Sequence, residues 1–332
     1  MKNVLVTGGC GFLGSWIVRQ LVERGCSVVV FAVPGENREN LEGVDVTVVE
    51  GDVRRRADVE AAFEAGGDID TVFHAAAVYQ DYAPDPTLMY DVNLRGTFNM
   101  MEASRRAGVE KVVYTASMVS LGRPPVGQTA DEDTPYEAWD LDFAYSRSKL
   151  FSRQIAEFFV DWDLDVRIVC PGLVLGPGDL RPTPSGALIV KLFTFGLPAV
   201  HFDGGVSYVD VRDAAKVHLL AADKGKAGER YLAVNTNMTN EEFVRMVRRI
   251  GQTKKPLVKL PEGVARTTAI AMDKLASVTG EPPLLTREFF EYCLRPSYYR
   301  NDKARQELGA TFRPIEETVR DSIAYFRSRG AI

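Results

Sequence analysis

Near the N-terminus an apolar run, Asn3–Thr7, passes directly into Gly8-Gly9-Cys10-Gly11-Phe12-Leu13-Gly14, and an amphipathic pattern follows over residues 12–24. Glycines at 8, 11 and 14 strip side chains from one turn. Bare backbone there lets a pyrophosphate approach amide N–H groups at a helix start, and the third glycine lets that helix pack close to its strand. A glycine-rich turn with no ligand is the competing reading. It leaves unexplained why the loop follows the first strand and opens a helix, the context a dinucleotide fingerprint demands. Phe12 and Leu13 share the turn and belong to the same candidate site.

The rhythm that follows agrees. Valine-rich strands are predicted at 3–7, 27–33, 45–49, 71–74, 111–115 and 165–170, with helices at 12–24, 57–64, 87–107 and 143–161 between them. Nearly continuous apolar runs suit parallel strands buried on both faces. Repeated βα units give an α/β fold, a Rossmann-type doubly wound parallel sheet with a smaller, mostly helical substrate-binding domain. After Pro171 the rhythm breaks. Residues 176–184 are rich in proline and glycine and read as loop, and helical patterns follow at 186–195, 212–222, 241–250 and 316–326. The predicted division is a dinucleotide-binding domain over 1–170 with a return segment at about 205–235. The cap comprises 171–204 and 236–332.

Composition excludes several classes. The net charge of -5 and a pI near 5.5 argue against nucleic acid, which calls for a basic face. The four cysteines lack CxxC spacing, so neither a disulfide framework nor a metal site is expected. No apolar run approaches the roughly 20 residues that span a bilayer, and the opening strand leaves no room for a signal peptide. A cytoplasmic protein is expected. Residues 264–278 are moderately apolar and leave two readings open, a helix resting on a bilayer or one packed within the cap.

Other positions extend the dinucleotide site. Asp52 and Val53 follow the third strand, where Asp52 is placed to meet the adenine. Ala75 and Ala76, after His74, leave space for the cofactor to cross; His74 itself reads as structural. The end of strand two selects between NAD and NADP through an acid or an arginine. This chain reads Phe31-Ala32-Val33-Pro34, with neither. Without an acid, NADP is not repelled, and Arg38 is placed to pair with its phosphate. The cofactor is NAD or NADP, with a slight lean to NADP.

Tyr145 and Lys149, four apart in a helical pattern, share one face. A phenolate at neutral pH requires lowering a pKa of about 10 to about 7, or about 4 kcal/mol. An ammonium about 4 Å away at an effective dielectric near 20 supplies about 4 kcal/mol, and a positive nicotinamide adds to it. A tyrosine–lysine pair alone is a weak signal. Ser117 strengthens it, ending the fifth strand 28 residues before Tyr145, where its hydroxyl can bond a substrate oxygen.

The glycine turn, Gly51-Asp52-Val53, His74-Ala75-Ala76-Ala77, Tyr90-Asp91-Val92-Asn93-Leu94-Arg95-Gly96-Thr97, Thr115-Ala116-Ser117 and Tyr145 through Lys149 resemble the extended short-chain dehydrogenase/reductase (NAD-dependent epimerase/dehydratase) family. The likeness covers nearly the whole chain. It implies that Asn93 helps position the lysine or a water, that Pro171 lies against the nicotinamide, and that the protein is a homodimer. Within the family the likeness runs to the branch of dihydroflavonol reductases, 3β-hydroxysteroid dehydrogenases and hopanoid-associated sugar epimerases. It is carried there by 82–86, 178–184 and 208–213.

Sugar-nucleotide members of the family place an arginine where this chain has Val206, and a diphosphate without it is poorly compensated. Tyr79, Tyr82, Met118, Leu188, Leu192 and Phe193 suggest an apolar pocket, although such stripes are more often helix core. The expected reaction interconverts a secondary alcohol and a ketone on a bulky lipophilic substrate such as a 3β-hydroxysteroid. A carboxylate beside the alcohol carbon would add a decarboxylation. The alternatives are a sugar-nucleotide epimerase or dehydratase, a dihydroflavonol-type ketone or aldehyde reductase, and a non-catalytic NAD(P)-binding sensor.

Overall fold

Alternate residues of the first strands go to opposite cores, which is why they are apolar without a break. In the computed structural model, which describes residues 1–79, 84–137, 143–196, 198–280 and 286–332, Val4 and Val6 join Val28 and Val30 in one cluster. Leu5, Val29 and Phe31 join the other. The strands are β1 (Asn3–Thr7), β2 (Ser27–Ala32), β3 (Thr47–Glu50), β4 (Thr71–His74), β5 (Lys111–Thr115) and β6 (Val166–Pro171). Helix α1 (Phe12–Glu23) covers the first face with Ile17, Val18 and Leu21. Helices α2 (Arg56–Gly66), α3 (Thr87–Tyr90), α4 (Gly96–Arg106) and α5 (Ala144–Phe158) follow. Val59 of α2, Met100 of α4 and Ala156 of α5 fill the second face. Each large side chain buried this way contributes about 1.5–3 kcal/mol. A π-helical turn, Asp91–Arg95, joins α3 to α4, where the sequence pattern suggests one unbroken helix.

Beyond Pro171 the chain forms β7 (Leu173–Leu175), α6 (Pro184–Thr194), β8 (Ala199–His201), β9 (Gly205–Asp210), α7 (Val211–Lys224), β10 (Arg230–Ala233) and β11 (Thr236–Thr239). There follow α8 (Asn240–Gly251), β12 (Leu257–Lys259), α9 (Glu262–Thr279), α10 (Arg287–Leu294), α11 (Asp302–Leu308) and α12 (Ile315–Ser328). Strand β10 pairs in parallel with β6, giving a seven-stranded sheet in the order β10-β6-β5-β4-β1-β2-β3. Order reverses between β1 and β4, so the crevice for a ligand opens at their carboxyl ends.

The chain beyond Pro171 is less helical than its sequence suggests. Strands β11, β9 and β7 form one small sheet, and β12 and β8 another. Its core stacks Tyr208 on Phe243 at 4.7 Å beside Ile189, Val247, Val319 and Phe326. Pro184 occupies the first turn of α6, where its missing N–H costs nothing, and Thr183 caps that helix. Asp210 caps α7 and pairs with Arg212 at 2.7 Å; Arg212 also reaches Asp321 on α12 at 2.7 Å, and Arg313 reaches Asp213 at 2.9 Å. The 208–213 segment thus clamps the C-terminal helix to the sheet layer.

Candidate active site

The glycine turn sits at the switch point and is shaped by backbone crowding. Gly8 has φ of +68°, and a Cβ there would come 2.8 Å from Ala76 N. A Cβ on Gly14 would overlap Gly8 O outright. Only glycine fits either position. No side chain caps α1, and no acidic residue lies in its first turn, so the N–H groups at Phe12 and Leu13 remain for an anion. Asn40 donates to Cys10 O at 3.3 Å and to Gly178 O at 3.0 Å, tying the β2–β3 connection and the cap to the turn. These features fit a dinucleotide: a cradle that Cβ atoms would fill, and N–H donors without a side-chain partner among the described residues.

A buried relay runs from this turn to α5. Thr7 Oγ1 accepts from Ala76 N at 3.1 Å, so its own proton goes to His74 Nδ1 at 2.7 Å. Thr97 donates to Asn93 O at 2.6 Å, leaving His74 Nε2 to donate to Thr97 at 3.2 Å. Asn93 donates to Val78 O and to Ser148 Oγ, each at 3.0 Å, and Ser148 donates to Tyr145 O at 2.8 Å. His74 is neutral: burial first, then the Lys149 charge, pushes it down to about 3. Asn93 therefore braces α5, the helix that carries Lys149, against the coil at Val78 that follows β4.

Ser117 ends the segment after β5, its hydroxyl close enough to the Tyr145 phenol to oppose the rise in its pKa while accepting from Val119 N at 3.4 Å. Lys149, one turn along α5, donates to Thr115 O at 3.0 Å. The direct electrostatic pairing expected between Tyr145 and Lys149 is not what the structure shows. Burial raises the phenol well above its ordinary value, with only Ser117 opposing it to any extent. Burial likewise pushes Lys149 down, to about 8. Tyr79 meets Tyr145 edge-on at 4.5 Å, and Phe143 lies 6.0 Å away. This aromatic surround is the physical cause of the desolvation.

Beyond Ser117 and Tyr145 opens a cavity of about 310 Å³. Tyr79, Met118 and Leu188 line it as expected. Leu192 and Phe193 do not: both pack into the cap core, with the Phe193 ring against Gly251 and 5.9 Å from the Arg327 guanidinium. Their helical stripe serves packing. Tyr82 lies outside the described residues. Gly172, His201, Val206, Asn240, Phe243 and Tyr292 also line the cavity and carry no local sequence motif. Among the described lining residues there is no Asp, Glu, Lys or Arg.

Two cofactor expectations change. Both Asp52 oxygens accept from Arg54, at 2.5–3.0 Å, which lowers that carboxyl and occupies it. Val53 is instead buried against Gly96. Arg38 pairs with Glu50 at the end of β3. Glu36 is half-buried, its carboxyl raised by burial, and its charge reaches Cys10 in the glycine turn. An acid therefore stands near the turn despite its absence from the end of strand two. Ala75 and Ala76 flank Gly8, bonding to Thr7 O at 3.2 Å and Thr7 Oγ1 at 3.1 Å. Pro171 closes β6 opposite Ala233.

A glycine cradle at the switch point, joined by a buried relay to a helix whose tyrosine faces an apolar cavity, defines a nucleotide-dependent oxidoreductase of the Rossmann type. Residues 4–235 match the NAD dependent epimerase/dehydratase family, and the chain belongs to it. Sterol demethylase protein B of Methylococcus capsulatus is 32% identical over 334 residues, covering 99% of this chain and 100% of that protein. The crystal structure of gox2253 superposes with a TM-score of 0.88 at 34% identity over 100% of both chains. UDP-glucose 4-epimerase of Thermus thermophilus, solved in complex with NAD, gives 0.78 at 26% identity over 98% of this chain and 99% of that one. Among the described residues no helix is long and apolar enough to cross a membrane.

Proposed function

We propose that this protein uses NAD to interconvert a secondary alcohol and a ketone on a bulky lipophilic substrate, with 3β-hydroxysteroids as the best-fitting class. The carrying observation is the cavity: Ser117 and Tyr145 border it, and no charged side chain lines it among the described residues. A nucleoside diphosphate would bury two phosphates there without a cation. Val206 stands on that wall instead. The sterol-related name of the Methylococcus relative agrees. Glu36 and the engagement of Arg38 by Glu50 favour NAD over the 2′-phosphate of NADP.

The dinucleotide, when bound, supplies the hydride donor or acceptor. Gly8, Gly11 and Gly14 with the N–H groups of Phe12 and Leu13 would hold its phosphates. Ser117 fixes the substrate oxygen by a hydrogen bond. Tyr145 exchanges a proton with that oxygen. Because burial holds the phenol protonated, donation to a ketone oxygen needs no prior ionisation; in the oxidative direction the phenol must give up its proton against that burial cost. Exposed rings of Phe98 on α4 and Phe151 and Phe158 on α5 form the face on which a second copy of the chain would pack.

The test is a turnover screen with NAD and NADP in parallel, offering 3β-hydroxysteroids, flavonoid ketones, aliphatic aldehydes and UDP-sugars. NADH formation with the steroids is expected. Interconversion of UDP-sugars without net cofactor consumption, and no steroid oxidation, overturns the reading.

A further inference from the structure

The cavity has a second polar pole, on the cap side. Two hydroxyls on its wall are spoken for within the protein: Thr183 Oγ1 donates to Asp179 at 2.8 Å, and Ser185 Oγ donates to Val174 O at 2.6 Å. Two neighbours differ. His201, on β8, is 6% exposed and lines the cavity. Its carbonyl accepts from Leu260 N at 2.8 Å, yet no described residue hydrogen-bonds its imidazole. Asn240, at the start of α8, donates from Nδ2 to Phe202 O and Asp203 O, both at 3.3 Å. Those bonds fix the carboxamide beside the residue that follows His201, and its Oδ1 has no partner among the described residues.

His201 borders the cavity, and its ring nitrogens are not among the described buried side-chain atoms without a hydrogen-bond partner, so they stay open to a polar group placed there. Ser117 belongs to the carboxyl edge of the main sheet, whereas β8 and α8 belong to the cap. An elongated ligand held at Ser117 and Tyr145 therefore extends toward His201 and Asn240, passing between Phe243, Val206 and Leu188.

We propose that His201 and Asn240 form a second recognition point, which binds a hydroxyl of the substrate distant from the reacting oxygen. An imidazole N–H donates to such a hydroxyl, and Asn240 Oδ1 accepts its proton, so the pair complements both halves of the group. The preferred substrate is then a lipophilic diol or hydroxyketone rather than a mono-alcohol. This rests on the lipophilic oxidoreductase reading above and narrows it.

The test compares NAD-dependent oxidation of androst-5-ene-3β,17β-diol with that of its 17-deoxy counterpart. The wild-type enzyme favours the diol in kcat/KM by about tenfold or more, the worth of one well-made hydrogen bond. The difference lies mainly in KM. His201→Phe brings the ratio near one, His201→Gln restores part of it, and Asn240→Ala lowers it independently should the phenylalanine variant fold poorly. A wild-type ratio near one, or a ratio that survives in both His201→Phe and Asn240→Ala, overturns the second pole alone. Oxidation of neither steroid overturns the parent reading and this one with it.

Discussion

Replacing Lys149 with methionine separates the cost of its charge from its use. Burial depresses the ammonium from 10.5 to about 8, a gap worth about 3 kcal/mol at 1.36 kcal/mol per pH unit. The sign follows from proton counting. Between pH 8 and 10.5 the unfolded chain holds a proton that the folded chain has released, so wild-type stability rises with pH across that window. Below pH 8 both states are protonated and the folded state carries the full penalty. Methionine removes it at every pH, and also removes the hydrogen bond to Thr115 O, a loss independent of pH. The difference in stability between Lys149→Met and wild type should therefore shrink by about 2.5 kcal/mol from pH 7 to pH 10. With an unfolding entropy of about 2.1 cal/mol/K per residue over this chain, that is about 3–4 °C in Tm. Differential scanning calorimetry of both proteins without cofactor across that range reads it directly. A Tm difference that stays constant or widens with pH refutes the claim that Lys149 is held against a desolvation cost.

Tyr145→Phe should lower kcat by roughly 10²–10⁴ with little change in Tm; normal turnover in stopped-flow or steady-state assays would remove Tyr145 from the chemistry. Gly14→Ala forces Gly8 and α1 apart, because its Cβ would overlap Gly8 O. NAD affinity followed by fluorescence titration should fall at least about tenfold, since the amide cradle loses its geometry. Steady-state kinetics should favour NAD over NADP, and Glu36→Ala should narrow that preference; a wild-type preference for NADP would contradict the reading of Glu36 and Arg38.

What was legible in the sequence is what local pattern encodes. β1, β4 and β5 have the bounds that valine runs between turn residues predict, because a strand buried on both faces needs no distant information to be recognised. The cap strands were missed since each is three to six residues long and gains meaning only from a partner far away, as when Thr236 meets Tyr208 and Leu173 meets the same residue from the other side. Leu188 and Leu192 occupy one helical stripe, yet only the former reaches the cavity. Periodicity reports that a face is apolar and does not say what it covers. The roles of Asn93, His201 and Tyr292 depended on which elements come together. The pairing energy assigned to Tyr145 and Lys149 omitted desolvation, which the surrounding aromatic rings make the larger effect.

Strand β10 has a consequence for how the chain is made. It completes the main sheet beside β6, yet more than fifty residues of excursion separate the two, β7, β8, β9 and α7 among them. A nascent chain emerging from the ribosome cannot seal that edge until about residue 233 is free, and until then β6 presents open backbone to any passing strand. Synthesis that stalls within the excursion should leave an aggregation-prone intermediate, so chaperone dependence belongs to the stretch between Pro171 and Ala233.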